Sequence, residues 1–165
     1  MRNPQNKLKV RVGRTLEGTI FEIVFLVLAV LLWAFIVLLL KHAPSSVPMH
    51  YDLHGNVDGW GSPMNAVFPC LLTTVVGICL LLCAYFPHTV NIPVEVKTPR
   101  QVAHVVRMVR IMALEMLLLT FCMAFSMLGS AMGLSLSPLP MILVPVGILI
   151  ATGIVFIVLI YKAKG

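Results

Sequence analysis

Residues 20–40 form the first apolar run of the chain and read IFEIVFLVLAVLLWAFIVLLL, with Glu22 as their single charged residue. An α-helix needs about 20 apolar residues to cross the hydrocarbon core of a bilayer. The run exceeds the apolar part of a secretory signal peptide, roughly 7–15 residues, and no A-x-A-like cleavage site follows it. It therefore predicts a retained transmembrane helix.

Three further stretches, residues 66–86, 108–133 and 138–161, are also long and apolar enough to span a membrane. Of the 165 residues 59% are hydrophobic and 11% charged, with a mean hydropathy of +1.00. A typical soluble domain has about 25% charged residues. We predict an all-α polytopic membrane protein, a single membrane domain over residues 1–165, in which a bundle of four transmembrane helices lies in the lipid bilayer.

The basic residues predict the orientation of these helices. Of the 12 lysines and arginines, Lys41 alone lies in the predicted outer loop, residues 41–65. The others lie in residues 1–19, in the loop 87–107, or at helix ends on the same side. Short loops rich in Lys and Arg stay in the cytoplasm, so both termini are predicted to be cytoplasmic. Topology also accounts for the net charge of +6, and no nucleic acid partner is predicted.

The polar outer loop contains the run VPMHYDLHGNVDGWGSP, residues 47–63. Met49, Tyr51 and Leu53 alternate with polar residues, which predicts a short extended arm that turns at Gly55–Asn56. Asp58–Gly59 is a second turn signal. The side chains of His50, Asp52 and His54 would then share one face of the arm. Asp58 would return beside them after the turn.

Two interpretations of this loop stay open. Imidazole and carboxylate groups are ligands of zinc and other divalent metals, which makes His50, His54 and Asp58 candidate metal ligands. Alternatively, the loop is a polar cap in which the aspartates bond turn amides and the aromatic residues lie at the membrane interface. No catalytic residue is predicted, and a divalent metal is the one cofactor that the residues suggest. The candidate ligand-binding residues are His50, Tyr51, Asp52, His54, Asp58 and Trp60.

Two acids lie inside predicted spans, Glu22 in the first and Glu115 in the third. An ionisable group in hydrocarbon costs several kcal/mol unless it is paired, and it is often functional. Both acids lie toward the basic side, which favours pairing with an arginine: Arg14, Arg107 or Arg110. The alternative is a proton or cation path, which usually needs polar groups along its whole depth.

The outer loop carries a family resemblance. Pro48-Met-His50-Tyr51, followed by Gly55, Asp58 and Trp60-Gly-Ser62, resembles the signature of bacterial membrane proteins grouped as domain of unknown function 1648. The later segment Pro93–Pro99 looks like the cytoplasmic segment of short members of the group. The resemblance extends over about residues 20–110. Two departures stand out, because Pro63 replaces the usual lysine and only four spans are present.

The same module begins the immunity proteins that protect some bacteria from the sporulation-delay toxin. The resemblance therefore implies a multi-pass protein of the bacterial cytoplasmic (inner) membrane. Our hypothesis is a protein that senses a ligand, a peptide or a toxin through its outer loop, or confers immunity to it. Another membrane protein or an extracytoplasmic peptide is the expected partner. The alternatives are a small transporter or transporter subunit that uses Glu22 and Glu115, and a metal-dependent membrane hydrolase built on the outer histidines and aspartates.

Overall fold

The computed structural model describes residues 11–52, 54–134 and 138–163. Within them lie four helices that are long and apolar enough to cross a membrane, which confirms the predicted all-α bundle. Leu53 and residues 1–10 of the predicted basic segment lie outside the described residues. The helices are α1 (Leu16–His42), α2 (Val67–Cys83), α3 (Pro99–Leu128) and α4 (Pro138–Lys162).

Local signals fix both ends of α1. The hydroxyl of Thr15 accepts a hydrogen bond from the amide of Gly18 at 3.0 Å and so caps the first turn. Basic side chains in the last turn interact favourably with the negative end of the helix dipole. The helix stops before Ala43, which is extended because Pro44 follows it.

The third helix begins at Pro99, well before the predicted start at residue 108. Thr98 and Gln101 form a capping box, in which each side chain bonds the backbone amide of the other residue. Proline at the first helical position loses no hydrogen bond. At the other end, α3 gives way to a 3-10 helix, Gly129–Met132, and Gly133 has a φ of +71°. Compared with the predicted span of residues 108–133, α3 therefore begins and ends earlier in the sequence, and its extra turns lie on the basic side of the bundle.

α3 is the central helix, since it contacts each of the other three. It is also the most buried of the four, whereas α4 is the least buried. Small residues allow close approach: a Cβ at Gly77 of α2 would lie 2.9 Å from the ring of Phe25 in α1. Most of the α4 surface is consequently left to lipid. The main core consists of Phe25, Leu32, Ile36, Leu39, Val47, Ala66, Cys70, Ala113, Leu117, Ala124 and Leu128.

The outer loop folds as an antiparallel hairpin of β1 (Val47–Tyr51) and β2 (Val57–Gly61). Gly55, with a φ of +85°, occupies the turn where the sequence predicted it. The prediction of a second turn at Asp58–Gly59 is wrong, because both residues belong to β2. A 3-10 helix, Pro63–Ala66, then leads into α2. The hairpin thus stands at the end of the bundle that bears the α1–α2 connection.

Candidate functional site

The hairpin is attached to the bundle through β1. Val47 is completely buried and belongs to the main core, and Met49 packs against that core. The hydroxyl of Tyr51 donates a hydrogen bond to the backbone carbonyl of Ser126 in α3 at 3.3 Å. Burial raises the pKa of Tyr51, which keeps the phenol protonated as the donor. One side of the hairpin is therefore fixed on α3.

Asp52 organises the turn of the hairpin. Its Oδ1 accepts hydrogen bonds from the amides of His54 and Asn56, both at 2.8 Å, and its Oδ2 accepts one from Asn56 Nδ2 at 3.0 Å. The side-chain bond from Asn56, followed by the backbone bonds, lowers the pKa of Asp52. Asp52 therefore has the turn-bonding role that the polar-cap interpretation expected of it.

His50 and Asp58 meet across the two strands. His50 Nδ1 lies 2.5 Å from Asp58 Oδ1, and both side chains are largely solvent-accessible. Gly59 makes this approach possible, because it stands opposite His50 and a Cβ there would lie 2.8 Å from the His50 Cβ. Asp58–Gly59 therefore does not form a turn. Gly59 instead leaves the space that the His50 side chain needs across the two strands.

Trp60 adds a large apolar group to the same strand as Asp58. It follows Asp58 by two residues in β2, so the two side chains point to the same side of the strand. The Trp60 side chain is 65% exposed although the opposite side of the hairpin is packed. We call His50, Asp58 and Trp60 the exposed hairpin face. It combines an aromatic ring, an imidazole and a carboxylate on a fixed backbone.

The predicted metal ligands are only partly brought together. His50 and Asp58 are in contact, whereas the ring of His54 lies at the turn, with Nδ1 3.9 Å from Asp52 Oδ2. Among the described residues, no group of three or more histidine, cysteine, aspartate or glutamate side chains is placed to hold a metal ion. The geometry therefore offers a two-residue pair in place of the predicted three-ligand set.

Glu22 bonds a tyrosine. The hydroxyl of Tyr85, just beyond the end of α2, donates a hydrogen bond to Glu22 Oε1. That bond, followed by burial, raises the pKa of Tyr85, while a hydrogen bond with Arg14 acts in the opposite direction. Arg14 therefore reaches Glu22 through the shared phenol, and the described residues contain no ion pair between this acid and an arginine.

Glu115 is placed between α3 and α4. Thr152 Oγ1 donates a hydrogen bond to Glu115 Oε1 at 2.5 Å, and Oε2 is a buried atom without a hydrogen-bond partner. The expected pairing with Arg107 is not present, because Arg107 Nε lies 2.9 Å from Glu17 Oε1. The partners of both acids are distant in the sequence, Tyr85 by 63 residues and Thr152 by 37.

Gln101, which no sequence pattern marked as functional, is a completely buried amide at the basic end of the bundle. Its Oε1 accepts hydrogen bonds from Lys97 N at 2.7 Å and Thr98 N at 3.0 Å, while Nε2 donates to Ile160 O at 3.0 Å. Thr98 Oγ1 also donates to Ala163 O at 3.1 Å. The capping signal Thr98-Pro-Arg-Gln101 was visible in the sequence. These bonds join the start of α3 to the end of α4.

Four spanning helices and a hairpin on one end define the class, a multi-pass membrane protein with a folded loop between its first two spans. Residues 27–75 match the sequence model of the family described as domain of unknown function (DUF1648), which confirms the resemblance over this part of the chain. The matched residues include the whole hairpin, whereas the segment Pro93–Pro99 lies outside them. No curated protein and no solved structure matches the chain.

Proposed function

We propose that the protein is a peptide-binding sensor or immunity-like protein of a bacterial cytoplasmic membrane, with both termini in the cytoplasm. The binding site is the exposed hairpin face. The single observation that carries this proposal is the 65% exposure of Trp60 on the same side of β2 as Asp58, in a hairpin held to the core from its other side.

The residue types on this face favour a peptide ligand. Tryptophan is enriched at the energetic centres of protein interfaces, where a large ring is buried on binding. An imidazole and a carboxylate at its side add hydrogen-bonding groups. A two-stranded sheet also has free edges, to which an extended peptide can add a strand. An apolar peptide with polar backbone groups fits such a surface.

The orientation supports a ligand on the outer side. In the sequence, Lys41 is the only lysine or arginine between the first two spans, while the other 11 of the 12 precede the first span, follow the second or follow the fourth. This asymmetry is typical of a cytoplasmic basic end. The resemblance to the module of the immunity proteins indicates the probe, which is the sporulation-delay toxin itself.

The two tryptophans of the chain allow a direct test. In α1, Trp33 Nε1 donates a hydrogen bond to Thr74 Oγ1 at 3.2 Å. Trp33→Phe keeps an aromatic ring at this position, loses that bond and removes the second indole fluorophore. We would titrate this variant in lipid nanodiscs with synthetic toxin peptide and record Trp60 emission. We expect a saturable blue shift, since binding would bury the indole.

The control keeps the same background and removes the polar pair. His50→Ala with Asp58→Asn should weaken binding by about tenfold or more, equivalent to roughly 1.4 kcal/mol. A scrambled peptide should give no saturable shift. If the folded Trp33→Phe protein shows no saturable response to the toxin, the proposal is wrong.

The transporter alternative is favoured by one observation, the buried Oε2 of Glu115 without a hydrogen-bond partner. Intramembrane carboxyls that face a pathway carry protons or cations in transporters. The test is proton or sodium flux in proteoliposomes with Glu115→Gln. Glu95→Gln is the matched control, because this loop carboxylate is exposed and lies 3.0 Å from Lys97 Nζ. Flux abolished by the first change alone would support this alternative.

A further inference from the structure

Arg110 occupies an unusual position for a cation. Its side chain is 3% exposed, on the face of α3 that meets the first turn of α1. A Cβ at Gly18 would lie 2.9 Å from the guanidinium carbon and 3.2 Å from Thr15 Oγ1. The glycine thus leaves the space over the helix backbone that the guanidinium fills.

This buried cation has no counter-ion in the described part of the chain. Arg110 makes neither an ion pair nor a hydrogen bond with a described residue, whereas Arg107, one turn away, pairs with Glu17 at 2.9 Å. The nearby acid of α1, Glu22, bonds Tyr85. A buried charge without a partner is strongly destabilising, so an anion from outside the described protein would stabilise this arrangement.

The first turn of α1 adds a second attraction for an anion. The backbone amides of a helix's first turn lack intrahelical acceptors and carry partial positive charge. Thr15 engages only the amide of Gly18 in this way. Glu17 offsets part of this field, but its carboxylate is held by Arg107. Phosphate oxygens commonly bind at helix N-termini with an arginine beside them.

The surroundings place the site at the depth of lipid headgroups. Arg11 lies over the ring of Phe86, 5.5 Å from its centroid, and Arg14 hydrogen-bonds Tyr85. These basic residues stand where the apolar spans α1 and α2 begin or end. Basic pockets between transmembrane helices at this level bind anionic headgroups.

We propose that Arg110, together with the first turn of α1, binds a phosphate group, and that an anionic phospholipid supplies it. The guanidinium donates hydrogen bonds to the phosphate oxygens, and Gly18 provides the room for it to do so. The site is separate from the exposed hairpin face, which lies at the opposite end of the bundle.

The first test compares two arginines of the same helix. Arg110→Gln and Arg107→Gln each remove one charge, but only the first removes the buried guanidinium. We would count phosphatidylglycerol molecules retained in native mass spectrometry, with phosphatidylcholine as the neutral competitor. We expect Arg110→Gln to lower the apparent affinity about fivefold, the effect of one arginine near a charged membrane surface, and Arg107→Gln to leave it nearly unchanged. Equal losses in both variants would overturn the proposal.

A second variant keeps the charge and guards against misfolding. Gly18→Ala would push the guanidinium from its place, whereas Gly13→Ala adds a methyl group in open space. We expect Gly18→Ala alone to reduce lipid retention, by a similar factor. Retention unchanged by both Gly18→Ala and Arg110→Gln would overturn the site.

A third measurement separates the two sources of phosphate. Wild-type protein in neutral detergent is melted with inorganic phosphate alone and, separately, with phosphatidylglycerol. Stabilisation by the lipid but not by millimolar phosphate supports the headgroup as the occupant. Stabilisation by both inorganic phosphate and phosphatidylglycerol, lost in Arg110→Gln, supports the phosphate site and overturns its restriction to lipid. Stabilisation by neither additive overturns the site.

Discussion

The two ends of the bundle treat their polar side chains in opposite ways. At the basic end, the capping box of α3 bonds the last carbonyls of α4, and the acids Glu17 and Glu22 bond Arg107 and Tyr85. At the hairpin end, the polar groups bond mainly one another and stay exposed. The basic end uses its polar groups to hold helices together, whereas the hairpin keeps a surface available for a ligand. Substitutions should therefore affect stability at one end and local order or binding at the other.

The largest expected loss comes from Gln101→Leu. Removing the buried amide leaves the amides of Lys97 and Thr98 and the carbonyl of Ile160 without their partner. Because such groups are costly when buried and unbonded, we expect about 2–4 kcal/mol of destabilisation. Unfolding in bicelles with increasing SDS measures it. The control, Asn91→Leu, replaces an exposed amide, and equal losses in both would contradict the role of the capping box.

Gly59→Ala should disturb the hairpin and leave the bundle folded. The added Cβ would lie 2.8 Å from the Cβ of His50, which has no flexible end to move away. We expect a local cost of about 1–3 kcal/mol, typical of overpacking, seen as faster hydrogen exchange of residues 47–61. Gly147→Ala, with open space around it, serves as the control. Unchanged exchange in Gly59→Ala would show that β2 can shift without penalty.

A smaller effect is expected from Tyr51→Phe, which removes the donor to the Ser126 carbonyl. The loss of one hydrogen bond costs about 0.5–1.5 kcal/mol and should speed exchange in β1 more than in α3. Ser126→Ala is a matched control, because the acceptor is a backbone oxygen and the Ser126 hydroxyl bonds Met123 O instead. Similar effects in the two variants would argue against the contact between hairpin and helix.

The smallest effect is expected at low pH, where protonation of Asp52 weakens the hairpin turn. Hydrogen bonds lower the pKa of Asp52 from its usual value of 3.8, so the carboxylate stabilises the turn above that value. This contribution should be lost as the pH falls through the lowered pKa. Trp60 emission in the Trp33→Phe background would follow the hairpin through this range. Asp52→Asn should flatten the acid transition, and an unchanged transition would assign it to another group.

Much of the fold could be predicted because a bilayer demands long apolar helices and leaves few alternatives. The hairpin was also visible, in the alternation from Met49 and in the Gly55–Asn56 turn. The early start of α3 was missed because hydropathy registers lipid contact, while a helix propagates through polar residues once Thr98 and Gln101 cap it. The prediction of a turn at Asp58–Gly59 failed because glycine occurs for two reasons. It permits a turn, and it also makes room for a neighbouring side chain, and the sequence alone does not distinguish the two.

The candidate site was less predictable, since its partners are set by packing. Glu115 contacts Thr152 and Glu22 contacts Tyr85. Both pairs are far apart in the sequence, so helical periodicity cannot predict either contact. Tyr85 and Thr152 hold these carboxyl groups directly, in place of the arginines expected from the sequence. The His50–Asp58 contact was anticipated as part of a larger set, but the bulged pairing of the strands, which the alternation does not record, leaves His54 at the turn.

The central position of α3 has a consequence for biogenesis. α1 and α2 leave the ribosome first, and the helix against which both pack follows only later. Lipid is as apolar as the surfaces of α1 and α2 that later contact α3, so no hydrophobic force drives α1 and α2 together before α3 is inserted. The bond from Trp33 to Thr74 is a polar tie between these two helices. We expect it to keep the nascent pair together in the membrane until α3 arrives.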